Sequence, residues 1–199
     1  MKRKMVSVVL CAAMLGSLAM GATTVCAEDK ITIGSVIMNN SGEWFAEVMK
    51  GQEDAAKDLG VEFSIVSSDN EISKESDNVA TFMAQQVDAL VIAAVDGDSL
   101  ATVCDQAKQN DIPVIAYDRL IKNTDAISYY ATFDNKGVGT KIGEYVKEKK
   151  ELDKAKAAGE SYTIEFFMGS PDDNNAKLLY EGIMEVLKPY LDDGTLVCK

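Results

Sequence analysis

The chain has 199 residues, 47% of them hydrophobic and 26% charged, enough apolar material for a packed core in one domain or slightly more. Its formal charge of −12 speaks against nucleic acid and anionic membrane surfaces as partners. There is no histidine, no GxSxG, no GxGxxG after the first strand and no Walker-type GxxxxGK, so triad, dinucleotide and phosphate-loop chemistry lack their parts, and the residues call for no cofactor and no metal.

Residues 1 to 27 read as a secretory signal peptide. MKRK precedes the apolar run MVSVVLCAAMLGSLAMGA, and Val25 and Ala27 occupy the small-residue cleavage positions before Glu28. A membrane anchor is the competing reading, since about 20 apolar residues can span a bilayer, but the glycines, the small residues and the basic start favour export to the periplasm or cell envelope. A lipid anchor on Cys26 is a third option, disfavoured by Thr23, Thr24 and Val25 ahead of it. Cleavage removes three basic residues, Lys2, Arg3 and Lys4, and so takes the formal charge from −12 to −15. It leaves Cys104, read as a small core residue, and Cys198 near the end; neither has metal-type spacing.

From Lys30 onward, short apolar runs alternate with amphipathic ones. ITIGSVIM (31 to 38), VEFSIVSS (61 to 68), ALVIAAV (89 to 95), PVIAYD (113 to 118) and ISYYATFD (127 to 134) are strand-like and several are apolar on both faces, which predicts a parallel sheet covered on both sides. EWFAEVMKGQEDAAKDLG, SKESDNVATFMAQQV and DSLATVCDQAKQN fit the intervening helices, with Val79, Phe82 and Met83, then Leu100, Val103, Cys104 and Ala107, at helical spacing. Right-handed crossovers make this order a doubly wound α/β lobe over residues 28 to 134. After Asp134 the rhythm restarts with a helix, GVGTKIGEYVKEKK, a charged linker, ELDKAKAAGESY, a strand, TIEFFMGS (163 to 170), a helix from about Asp172 to Lys188, and TLVCK. Two strands cannot bury their faces alone, so residues 135 to 199 are expected to be the start of a second α/β lobe that is cut short.

In open parallel sheets ligands bind outside the carboxyl ends of the strands. Those ends here carry NNSGEW (39 to 44), SSDN (67 to 70), VDGD (95 to 98), YDRL (117 to 120), FDN (133 to 135) and GSPDDNN (169 to 175). Carboxylates accept from sugar hydroxyls, Asn donates and accepts, Arg donates through a fixed fork and a Trp face covers the apolar side of a pyranose, so the set suits a polyhydroxylated ligand. The candidates are Trp44, Asp118, Arg119, Asp173 and Asn175, with Glu43 and Asp96 behind them. The strand-end Asp and Asn residues among them also have an ordinary reading as turn formers or helix caps. Ser170 reads as the N-cap of its helix with Pro171 in the first turn, and Trp44 could be a core residue. A paired-carboxylate enzyme using Asp118 and Asp173 is a further reading.

VIAYDRLI, YYATFDN, GSPDDNNAKL and VLKPYLDDG, in this order and spacing, resemble the periplasmic sugar-binding proteins of ABC transporters, nearest to the xylose-binding and multiple-monosaccharide-binding groups of the ribose-binding superfamily. The resemblance runs from about residue 30 to the end. It implies a type I periplasmic binding protein of two lobes around a hinge, monomeric when complete, that closes on a monosaccharide such as xylose, glucose or galactose and delivers it to an ABC permease. It also implies that Trp44 stacks on the ring, that Arg119 bonds sugar oxygens with Asp118 beside it as orienter, and that Asp173 and Asn175 reach in from the second lobe. Glu43 stands where close members place arginine, which exchanges a fixed donor for an acceptor and leaves the sugar's identity open. The same cleft could instead present sugar to a chemoreceptor or sensor kinase.

Overall fold

The computed structural model describes residues 30–199. Five parallel strands form the first sheet: β1 (Thr32–Ile37), β2 (Glu62–Ser67), β3 (Ala89–Ala93), β4 (Val114–Tyr117) and β5 (Ile127–Ala131), in the order β2-β1-β3-β4-β5. Their registers run without interruption except for a shift between Val114 and Ile115 where β4 meets β5. Helices α1 (Glu43–Leu59), α2 (Ile72–Ala84) and α3 (Ala101–Gln109) make the crossovers. The chain leaves β1 toward β2 on one side and returns past it to β3 on the other, so the order reverses between β1 and β3 and opens a crevice at their carboxyl ends.

The alternation of side chains sorts the strands' two faces. Val36, Leu90, Ile92, Val114 and Ala116 are buried on one face with Val79 and Phe82 of α2, Leu100 just ahead of α3, and Val103 and Cys104 of α3. Cys104 sits there as the sequence suggests, fully buried, with burial pushing its thiol up to about 12. The other face is less well covered. Ile37, Met38 and Ala93 pack with Phe45 and Met49 of α1, whereas Val91, Ile115 and Tyr117 remain half-buried and Tyr129, opposite Ile115, is 73% exposed. The expectation of complete cover fails here because β4 joins β5 through a loop, so no crossover helix lies over that part of the sheet.

Beyond β5 come α4 (Asn135–Lys149), α5 (Leu152–Ala158), β6 (Tyr162–Ile164), α6 (Asn174–Asp192) and β7 (Leu196–Cys198), with β6 and β7 paired in parallel as a second, two-stranded sheet. Leu152, Leu187, Tyr190 and Leu196 form its core. Helices α4 and α6 touch backbone to backbone. A Cβ on Gly139 would stand 2.0 Å from the Leu179 carbonyl oxygen, and one on Gly182 2.0 Å from that of Lys136.

Three boundaries differ from the expected ones. The charged stretch after α4 is a helix, not a linker, because Leu152 and Ala155 are buried one turn apart and Gly159 closes it in the left-handed region. Of TIEFFMGS only Thr163 and Ile164 pair as strand, together with Tyr162 ahead of them, the ladder being no longer than β7. Helix α6 begins at Asn174 behind Asp173, whose carboxylate accepts from the Asn175 N–H at 2.9 Å, so Ser170 is not the cap and Pro171 lies in the preceding turn; the helix then runs through Pro189 to Asp192.

Among the described residues no helix is long and apolar enough to cross a membrane; the expected signal peptide and the Cys26 option lie outside them. Phe133, Val138, Ile142, Tyr145, Phe167 and Met168 are exposed, Phe167 by 92%, and α4, α6 and the segment after β6 line an apolar groove of about 450 Å³. Contiguous apolar surface of this kind drives association. The 199-residue chain is expected to bind an environment-sensitive hydrophobic dye and to elute above monomer mass in size-exclusion chromatography at tens of micromolar; a sharp monomer peak with no dye signal would contradict this.

Candidate functional site

The carboxyl ends of β1, β3 and β4 meet at the crevice edge. Beyond Tyr117 the chain turns at Asp118, whose φ of +63° puts a non-glycine residue in the left-handed region. This turn points the Asp118 main-chain oxygen at three donors. The Tyr130 hydroxyl approaches to 3.0 Å, the Thr132 hydroxyl to 2.9 Å and Nδ2 of Asn175 to 3.0 Å. Asn175 also donates to the Asp118 carboxylate at 3.3 Å, so the first turn of α6 is tied directly to the end of β4.

Arg119 lies back against β3. Its Nη1 donates to the Val95 carbonyl oxygen at 2.6 Å and its Nη2 faces the Asp173 carboxylate at 3.3 Å. Both charged groups are about four-fifths buried, which gives such a pair more strength than an exposed one. Asp118 therefore does not orient Arg119, as the resemblance implied; the Val95 carbonyl and Asp173 do, and Asp118 is held by Asn175. Burial pushes the Asp118 carboxyl above the usual carboxylate range, the Asp173 charge adds to this and Arg119 opposes it.

The other candidates take separate places. Trp44, in the first turn of α1, is 46% exposed with its ring edge-on to Phe45 at 4.9 Å. Phe45 packs beneath the end of β1, so Trp44 is anchored through its neighbour and keeps a ring surface open to solvent. Glu43 is exposed beside it and joins none of the bonds above. Asp96 shapes its own loop, accepting from the Asp98 N–H at 3.0 Å. Asp134 likewise serves as the N-cap of α4, accepting from Gly137 N–H at 2.9 Å. Asp118, Arg119, Asp173 and Asn175 thus form one bonded cluster, and Trp44, Glu43 and Asp96 stand outside it.

Glu75 of α2 was missed. It is fully buried, its Oε1 accepts from the Val95 N–H at 2.8 Å, and burial pushes its carboxyl up to about 7. It lies four residues before Val79 and seven before Phe82, on the buried stripe of α2, and that spacing is the signal by which it could have been found.

Polar side chains gathered on the carboxyl edge of a parallel sheet, faced by a helix N-terminus from a second sheet, form the architecture of an α/β ligand-binding protein. Residues 33–199 match the periplasmic binding protein domain, and the chain belongs to that family. It is 37% identical over 179 residues to the multiple sugar-binding periplasmic protein SbpA of Azospirillum brasilense, covering 90% of this chain and 49% of that protein. Against the D-xylose-binding periplasmic protein of Escherichia coli it is 37% identical over 141 residues, 71% of this chain and 40% of the other. Among solved structures, an ABC transporter solute binding protein from Clostridium phytofermentans with bound β-D-glucose matches with a TM-score of 0.79 at 44% identity, over 84% of this chain and 51% of that one. The chain spans about half the length of these relatives. The resemblance and the fold class read from the sequence are both borne out.

Proposed function

We propose that the chain is the N-terminal portion of an exported monosaccharide-binding protein that receives an aldose for an ABC-type importer. The observation that carries this reading is the match at 44% identity to a solute binding protein holding β-D-glucose, and a second glucose-bound carbohydrate transporter protein, from Chloroflexus aurantiacus, supports it at 32% identity and a TM-score of 0.75. In this reading residues 1 to 27 are removed on export, residues 28 to 134 form the first lobe and residues 135 to 199 begin the second. The chemistry is binding and not catalysis.

Trp44 supplies the apolar platform for the ring. Arg119 donates to ring or hydroxyl oxygens, and Asp118 and Asp173 accept from hydroxyls. Asn175 acts chiefly as the tie between α6 and β4, since it is only 7% exposed and its amide is engaged by Asp118. Contacts from both lobes to one sugar stabilise the closed arrangement, which is the form a permease would recognise.

Titration of the purified protein with D-glucose, D-xylose and D-galactose, up to tens of millimolar, is expected to give a saturable change in Trp44 fluorescence and matching calorimetric heat for at least one of them. A flat response to all three by both methods would overturn the reading.

A further inference from the structure

A chain of contacts runs from α2 into the strand-end cluster. Glu75 Oε1 accepts from the Val95 N–H at 2.8 Å, the carbonyl oxygen of the same residue accepts from Arg119 Nη1 at 2.6 Å, and Arg119 Nη2 reaches Asp173 at 3.3 Å. Two atoms along this line, Glu75 Oε2 and Arg119 Nε, are buried with no hydrogen-bond partner among the described residues. A fully buried carboxylate with one free oxygen is costly to maintain, and surface capping does not account for it. We propose that Glu75 is a positioning residue for Arg119, acting through the Val95 backbone without touching ligand.

The physical basis is placement together with charge. The Glu75 carboxylate holds the Val95 N–H and so fixes the residue whose carbonyl oxygen receives the guanidinium, while its negative charge attracts Arg119 directly. Asp96 from the β3–α3 loop, Arg119 from the end of β4 and the thiol of Cys104 on α3 are the charged or titratable groups that act on Glu75 or feel it. Asp96 raises its proton affinity, Arg119 lowers it, and the Cys104 thiol, pushed up to about 12, stays neutral near pH 7. Burial outweighs the rest and leaves Glu75 changing charge close to pH 7. Below that pH the protonated group still accepts from Val95 but attracts Arg119 less, so the grip on Arg119 tightens as pH rises.

The proposal takes its sugar from the function proposed above, and its first test needs none. In 15N-resolved NMR between pH 5.5 and 8.5, the Val95 amide and the Arg119 Nε signals are expected to titrate together with a midpoint near 7, and Glu75→Gln, which keeps the acceptor without the charge, is expected to flatten both. Independent midpoints, or an unchanged curve in Glu75→Gln, overturn the proposal whether or not sugar binds. If Glu75→Gln fails to fold, the wild-type curves alone decide by coinciding or not. With D-glucose added, wild-type affinity is expected to rise about threefold from pH 6 to 8, and that of Glu75→Gln to stay level. A pH profile for Glu75→Gln identical to the wild type argues against Glu75, while absence of any sugar binding counts against the proposed function alone.

Discussion

Gly182→Ala is expected to separate α4 from α6 and to lower stability by more than about 3 kcal/mol, at the upper end of what overpacking costs. The methyl group would arrive 2.0 Å from the Lys136 carbonyl oxygen and 2.7 Å from the Thr140 nitrogen, both main-chain atoms of α4 that no rotamer change can move aside. Gly139→Ala meets the Leu179 carbonyl oxygen at 2.0 Å and should behave alike. Gly51, inside α1, makes the contrast: a Cβ there meets nothing within 4 Å, so Gly51→Ala should raise stability by about 0.5–1 kcal/mol through helix propensity alone. Urea midpoints for the three variants check the pattern. A Gly182→Ala protein as stable as the wild type would mean that the two helices do not pack as closely as described.

Arg119→Lys is expected to weaken aldose affinity about 100-fold, near 2.7 kcal/mol, although the charge is kept. The guanidinium fork reaches the Val95 carbonyl oxygen and Asp173 together. A single ammonium on a flexible stem holds one of them and loses the aim of the remaining N–H groups. Either the Val95 carbonyl or the Asp173 carboxylate is then left without its partner in a largely buried place. Asp173→Asn separates the two roles of that residue, because asparagine still caps α6 but carries no charge for Arg119. Its effect should fall on affinity more than on the melting temperature. Calorimetry with the sugar that binds best, alongside thermal melts, distinguishes these outcomes; an Arg119→Lys protein with wild-type affinity would remove Arg119 from the site.

The five strands of the large sheet were legible because their apolar β-branched runs have few other uses, and the helices between them because Val79, Phe82, Val103 and Cys104 repeat at the right period. The second sheet was less so. Phe166, Phe167 and Met168 look like strand by composition, but strand propensity needs a partner ladder and β7 offers only three residues. The lysines and acids of ELDKAKAAGESY concealed the two buried positions, Leu152 and Ala155, that make it a helix. Helix α6 runs past its expected end at Lys188, through Pro189 to Asp192, because a proline in the last turn forfeits one hydrogen bond and the helix carries on. At the site, Arg119, Asp118, Asp173 and Asn175 could be named from their strand-end and helix-start positions. Which of them hold one another could not, because bonds between residues 57 apart in sequence depend on how two sheets are set.

The left-handed turn at Asp118 makes the junction between β4 and α6 depend on an atom that no substitution deletes. Tyr130 and Thr132 from the β5 edge and Asn175 from α6 converge on a main-chain oxygen, so alanine scanning through Asp118 leaves the acceptor in place. Sequence drift at Tyr130 or Thr132, taken one at a time, can therefore proceed with the Asn175 bond still made, whereas amide-to-ester replacement at the Asp118–Arg119 link weakens all three bonds at once.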